Sequence, residues 1–299
     1  MDYTETREAF FAPRPDAGPA TGWQSPARRL RDALEPLAAI SFWAEPAYDA
    51  YAALGLDFLT GYVWSRSSVL GVAEPSVVAA TFGVFEPAAV AGLLGAARDA
   101  CSLEQVRAAR EQGATAALRA VLPDGAALAP TTARLLAAAS ATDVVGRPLF
   151  AGVMGQPVPT APHAALWHAA TALRERRGDS HLAACVAAGL TGLEANLLTE
   201  LWVGFDPTAY AGSRAWCPGA MAQAQAALAA RGLLDGDALS AAGRELREAV
   251  ETATDLAMAP VVCSLSGDLD SVVAQCEAWS QAVIDRGWFP PDPFKRAAG

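Results

Sequence analysis

The stretch Leu233-Leu234-Asp235-Gly236-Asp237-Ala238-Leu239 is the one place in the chain that asks for strands. Two short apolar ends flank an Asp-Gly pair, and the glycine suits the left-handed backbone of a tight hairpin turn. Helical sequence lies on both sides, from Pro218 to Arg231 before it and from Ala241 to Met258 after it. Further upstream the residues predict a short helix from His181, a turn at Ala188-Gly189-Leu190-Thr191 and a second helix from Gly192. Two helices joined by so short a turn make a helix-turn-helix unit. With the helix and hairpin that follow, the segment has the outline of a winged-helix domain, the hairpin being the wing.

Outward from that unit nearly every segment reads as helix. Ala, Leu and Arg dominate, β-branched runs are short, and the apolar spacing is closer to 3.6 than to 2. Helices are expected near 27–39, 46–68, 75–82, 86–97, 102–121, 130–144, 162–177, 181–188, 192–203, 218–231, 241–258 and 268–286. Ser102 with Gln105, and Thr191 with Glu194, have the spacing of capping boxes, which satisfy the free amides at a helix entrance. Pro and Gly cluster between residues 12 and 26 and again between 152 and 162. The expected fold is therefore mainly α with two helical domains: a flexible arm at 1–26, an N-terminal helical domain at 27–150, a winged-helix-like domain at 151–288 and a tail at 289–299.

The chain has 299 residues, 53% of them hydrophobic and 18% charged, which excludes disorder for its bulk. Its formal charge of −10 makes an extended polyanion a poor partner. Five widely spaced cysteines form no Cys-x-x-Cys pair and fit a reducing, cytoplasmic compartment. The first residues lack the basic and apolar regions of a secretory signal, and no apolar run reaches the ~20 residues that span a bilayer, so a soluble protein is expected. Nucleotide- and flavin-binding glycine loops are absent, as is a nucleophile elbow, so any catalysis is expected to need no cofactor. A Schiff-base mechanism would have to use Lys295, the only lysine, in the tail, and is set aside.

The run Leu166-Trp167-His168-Ala169-Ala170-Thr171-Ala172-Leu173-Arg174-Glu175-Arg176-Arg177-Gly178-Asp179-Ser180-His181 resembles a family of actinobacterial proteins. These are described as helix-turn-helix or MarR-like, and some are encoded in natural-product gene clusters. The likeness extends to Ala230-Arg231-Gly232-Leu233-Leu234-Asp235, Leu54-Gly55-Leu56, Gly61-Tyr62, Arg66 and Gly146-Arg147-Pro148-Leu149. It departs from the family at Arg176, Val69 and Cys217, where the family usually has His, Pro, and Ser or Asp. The resemblance implies the fold and a pocket; it implies no particular reaction.

In a MarR-like reading the 218–231 helix would enter the DNA groove, yet it offers a row of alanines with Gln223, Gln225 and one cation, Arg231, at its end. The wing tip carries Asp235 and Asp237. Phosphate contacts need Lys or Arg, so no nucleic-acid partner is expected. An alanine face suits close helix packing, and a homodimer is expected.

All three histidines, His163, His168 and His181, lie in one stretch, at spacings that do not put two imidazoles on one helical face, and no metal site is expected. His168 follows Trp167 on an apolar helix. A neutral imidazole there can act as a general base, with Thr171 one turn on and Glu175 about 10 Å along the axis. The structural reading is a core histidine bonded to a carbonyl. In the run Arg174 to Asp179, Gly178 can end a helix and Asp179 can cap the next, whereas Arg174 shares the Trp167 face and can bind a carboxylate or enolate. Tyr62 and Arg66, four apart on one helix, can together stabilise an oxyanion, or pack as a tyrosine on an arginine stem. Trp167, Trp64, Phe82, Phe85 and Thr171 are candidate lining residues.

From these residues the expected function is a cofactor-independent biosynthetic enzyme of the lyase or cyclase type, with a pocket roofed by the 162–177 helix and floored by the 46–68 helix. Its reaction would be a dehydration, isomerisation or addition-type cyclisation on a hydrophobic, polyketide-like substrate. His168 would move protons, while Tyr62 with Arg66 or Arg174 would hold an enolate. The alternative is a ligand-responsive regulator or a non-catalytic binding protein.

Overall fold

The computed structural model describes residues 3–12 and 24–292, and it is mainly helical with one two-stranded hairpin. Proline sets many of the helix starts, because its fixed φ suits the first turn and its missing amide is not needed there. In this way begin α2 (Pro26–Trp43), α3 (Glu45–Ala52), α5 (Pro75–Phe82), α6 (Pro87–Ala100), α9 (Pro148–Met154), α10 (Pro162–Ala187) and α13 (Pro218–Ala230). Side-chain boxes open others: Asp57 with Thr60 at α4 (Phe58–Ser67), Ser102 with Gln105 at α7 (Leu103–Val121), and Thr191 with Glu194 at α11 (Gly192–Val203). The remaining helices are α1 (Tyr3–Phe11), α8 (Gly125–Ser140), α12 (Ala209–Gly212), α14 (Ala241–Ser264) and α15 (Leu269–Asp285). The hairpin pairs β1 (Leu234–Asp235) with β2 (Ala238–Leu239), Leu234 opposite Leu239, around Gly236 at φ 59°.

Three local expectations change. The segment expected as a 46–68 helix breaks at Gly55, whose φ of 77° ends α3, and Asp57 restarts the chain as α4. The segments at 162–177 and 181–188 are one helix, so Gly178 is no helix stop and Asp179 caps no following helix. An interior glycine costs about 1 kcal/mol relative to alanine. Packing of α10 against α2, α8, α9 and α14 overrides that cost. The expected flexible arm begins instead with α1, where Phe10 stacks on Trp43 at 4.1 Å and Tyr3 donates to the Trp43 carbonyl at 2.6 Å. The arm's proline-rich part at 13–23 and the tail from 293, Lys295 included, lie outside the described residues, whereas Trp288 and Phe289 are buried.

Apolar packing forms two clusters. The larger one takes in α2 (Leu30, Leu37, Ile40), the first half of α10 (Leu166, Trp167), the end of α14 and α15, and runs on to Phe289. The smaller one joins Cys185 at the end of α10, Leu193, Leu197 and Leu198 of α11, Met221 and Leu228 of α13, the hairpin leucines and Val250. At the turn after α10, Gly189 takes a φ of 70° and the chain bends by 105° into α11. No single helix among the described residues is long and apolar enough to cross a membrane.

A backbone contact ties the clusters together. A Cβ built on Gly192 would lie 1.8 Å from the Gly83 carbonyl oxygen, so only glycine lets the 83–84 turn sit on the start of α11. The Val84 carbonyl then accepts from Asn196 at 2.7 Å and Trp216 at 2.9 Å. Beside this contact the interior is charged rather than apolar, with Glu35, Glu175, Arg177, Asp179, Arg247 and Glu251 all buried. Such departures from an apolar core cost stability and mark functional sites.

Candidate functional site

The charged zone surrounds a cavity of about 120 Å³. Its walls come from α2, α4, the end of α5 and the turn after it, α9, the second half of α10, α11, α12 with Arg214 just beyond it, and α14. The part of α10 involved is 174–185, which shares only its start, Arg174 and Arg177, with the 162–177 stretch expected as the roof.

On α4, Tyr62 and Arg66 meet as their spacing predicts: Nη1 of Arg66 donates to the phenol oxygen at 3.1 Å. Arg66 also grips Glu175 with two bonds, Nε to Oε1 at 3.1 Å and Nη2 to Oε2 at 2.8 Å. Arg174 donates to Glu175 at 3.0 Å and to Glu35 at 3.0 Å. Burial alone would raise the Glu175 carboxyl, but Arg66 and Arg174 hold it down at about 2. Glu175 is therefore held as an anion that orients two arginines.

One turn further along α10, Asp179 accepts from the Phe150 amide at 2.9 Å, at the start of α9. Burial pushes its carboxyl up to about 7, against the lowering effect of that amide, and the neighbouring Glu175 charge adds to the rise. His181 contacts the Thr254 hydroxyl at 3.1 Å. Burial, reinforced by the Arg247 charge, pushes its imidazole down to about 3. Glu251 gathers Arg177 at 2.7 Å and Arg247 at 2.7 Å. Burial works against its charge, and these two arginines hold the carboxyl well below the usual carboxylate range.

Tyr62, Arg66, Arg174, Phe82 and Phe85 line the cavity, and Glu175 stands directly behind two of them. Four other sequence candidates do not line it. His168 is a core histidine, 5% exposed, and burial with the nearby Arg110 charge lowers the pKa of its imidazole. Trp167 donates to the Ala38 carbonyl at 3.3 Å and lies under Arg110. Trp64 donates to the Cys101 carbonyl at 3.3 Å and lies under Arg98. Thr171 is buried, and its hydroxyl has no partner among the described residues. Residues 166–173 of α10 are buried on every side, so helical periodicity cannot say which of them meets a void.

The reading of the sequence missed Asp179 and His181 as cavity residues because both looked like parts of a helix end. It also missed Tyr210 and Arg214. They lie on and just after the four-residue α12, too short to show a period; its shape depends on Glu200, whose carboxylate accepts from the amides of Thr208, Tyr210 and Ala211. Among the described residues no group of three His, Cys, Asp or Glu is placed to hold a metal ion.

The chain matches the model of a helix-turn-helix family over residues 27–290. It belongs to that helix-turn-helix family. No curated protein and no solved structure matches it significantly. In this helix-turn-helix protein, the exposed face of α13 presents Ala222, Gln223, Ala226, Ala227 and Ala230. Arg231 at its end pairs with Glu194 at 3.3 Å, and Asp235 and Asp237 are exposed at the hairpin tip. Beside them Arg244, exposed at the start of α14, donates to the Leu239 carbonyl at 3.1 Å.

Proposed function

We propose that the protein is a cofactor-independent enzyme acting on a compact small molecule in the cavity between the α2–α10 layer and a winged-helix-like, MarR-like unit that has lost DNA binding. The observation that carries this reading is the Tyr62–Arg66 pair at 3.1 Å on the wall of a cavity that Asp179 also lines. A phenol whose oxygen already accepts from a guanidinium is polarised to donate its own hydrogen to a developing enolate or alkoxide. A carboxyl that titrates near 7 can both take and return a proton at neutral pH, so Asp179 takes the role first expected of His168. The reaction class stays a dehydration, isomerisation or addition-type cyclisation. The volume and the arginines favour a substrate smaller and more polar than a polyketide, with Phe82 and Phe85 against its apolar part.

A direct test is carbon–hydrogen exchange in D₂O, read by NMR on a panel of small enolisable acids and ketones. Wild type is expected to label at least one of them next to its carbonyl, and Tyr62→Phe to slow that labelling at least about tenfold. Saturable binding without labelling anywhere in the panel would contradict catalysis and favour a non-catalytic binding protein. Membership of a helix-turn-helix family favours a second reading, a ligand-responsive regulator. Salt-sensitive retardation of a duplex from the gene's own upstream region would establish it and overturn the enzyme reading.

A further inference from the structure

More arginines than carboxyl groups line the cavity. Five arginines line it (Arg31, Arg66, Arg174, Arg177 and Arg214) against three carboxyl groups (Glu35, Asp179 and Glu251), in a chain whose total is −10. Four of the five are committed to carboxylates: Arg31 to Asp32, Arg66 to Glu175, Arg174 to Glu35, and Arg177 to Glu251. Arg214 differs. Among the described residues no carboxylate pairs with it, its Nε is buried without an acceptor, and a single side-chain bond, Nη1 to the Ser213 hydroxyl at 2.8 Å, engages its fork. Its plane is nevertheless held, with the guanidinium carbon 4.2 Å from the centre of the Tyr210 ring and 5.1 Å from that of Phe85.

The backbone holds it too. The Arg214 carbonyl accepts from the Glu86 amide at 3.0 Å, and Glu200 ties down the loop before it. Thr208 and Ala215 both sit at φ 67°, a left-handed conformation that costs non-glycine residues on the order of 1 kcal/mol or more and persists when the surroundings enforce it. A rigid, oriented guanidinium whose Nη2 makes no bond among the described residues, walled by aromatic rings, suits a planar oxyanion.

We infer that Arg214 is the seat of a ligand carboxylate, and that the substrate class is a compact monocarboxylic acid with a ring or short apolar body lying along Phe82 and Phe85. At about 120 Å³ the cavity is somewhat smaller than the roughly 150 Å³ engineered cavities that take a benzene ring, which limits the body of the acid to one ring or a short chain. This inference rests on the cavity being the ligand site.

Calorimetric titration with benzoate, its neutral isostere benzamide, and inorganic phosphate separates the two ideas. Wild type is expected to bind benzoate in preference to phosphate. Arg214→Met is expected to weaken benzoate binding at least tenfold while leaving benzamide unchanged, and Arg231→Met, on the exposed end of α13, is expected to change neither. If Arg214→Met does not fold, Arg214→Gln, which keeps length and an amide donor, is read in the same way. Equal benzoate affinity in the folded Arg214 variant would overturn the assignment, as would an Arg214-dependent preference for phosphate. Benzamide binding without benzoate binding would overturn the anion seat and leave the cavity reading standing. Failure of all three probes would overturn both.

Discussion

Asp179 and His181 sit two residues apart on one cavity wall, and burial shifts each toward its neutral form. Their effects on stability have opposite signs. Asp179 rises from 3.8 to about 7 on folding, so the folded state holds a proton that the unfolded state has lost, and stability from this group falls as pH rises toward 7. His181 falls from 6.5 to about 3, so the unfolded state binds the extra proton, and stability from this group grows as pH rises toward 6.5. Between about pH 5 and pH 6.5 the two slopes nearly cancel, each amounting to about 2 kcal/mol over that interval. Urea unfolding at those two pH values is expected to show Asp179→Asn gaining about that much relative to wild type as pH rises, and His181→Gln losing it. Parallel curves for all three proteins would contradict the two shifts. The sequence run Arg174 to His181 already held these groups together. What it did not disclose was that burial, rather than a helix end, decides their behaviour.

At the scale of elements, the helix starts and the hairpin were legible because their signals are local. Proline at a first turn, a capping box or an Asp-Gly turn works through neighbouring residues alone. The continuity of α10 was not legible, since a glycine with charged flanks reads as a stop until the tertiary packing of both halves is known. Gly178 then acquires another meaning. It is exposed although it lies mid-helix, it lines the cavity, and a Cβ there would meet nothing closer than Glu175 Oε2 at 3.9 Å. Gly178→Ala therefore fits the helix and is expected to raise stability by about 1 kcal/mol in thermal unfolding. The same methyl group takes space from a small cavity, so benzoate affinity is expected to fall. A stabilised variant with unchanged affinity would show that the ligand does not pass along this part of α10. The Pro/Gly-rich 152–162 segment, which looks like a divider in the sequence, instead links two helices that both pack into the larger apolar cluster.

For the whole molecule, the formal charge of −10 is unevenly placed. Carboxylates are exposed at the hairpin tip, while arginines converge on an interior cavity where the α5–α6 turn docks on the helix-turn-helix segment. Composition gave the first half of that description, because an acidic surface follows from counting. The second half depends on contacts between residues far apart in sequence, such as Arg66 with Glu175 and Arg177 with Glu251, and no single segment contains them. The central claim is that this cavity is where the protein meets its small molecule, and amide NMR during a millimolar benzoate titration tests it most directly. The account predicts saturable shifts concentrated at Phe82–Phe85, Gly178–Leu182 and Tyr210–Arg214, with α13 and the hairpin tip silent. Saturable shifts confined to α13 and the hairpin, with the cavity residues unmoved, would contradict it.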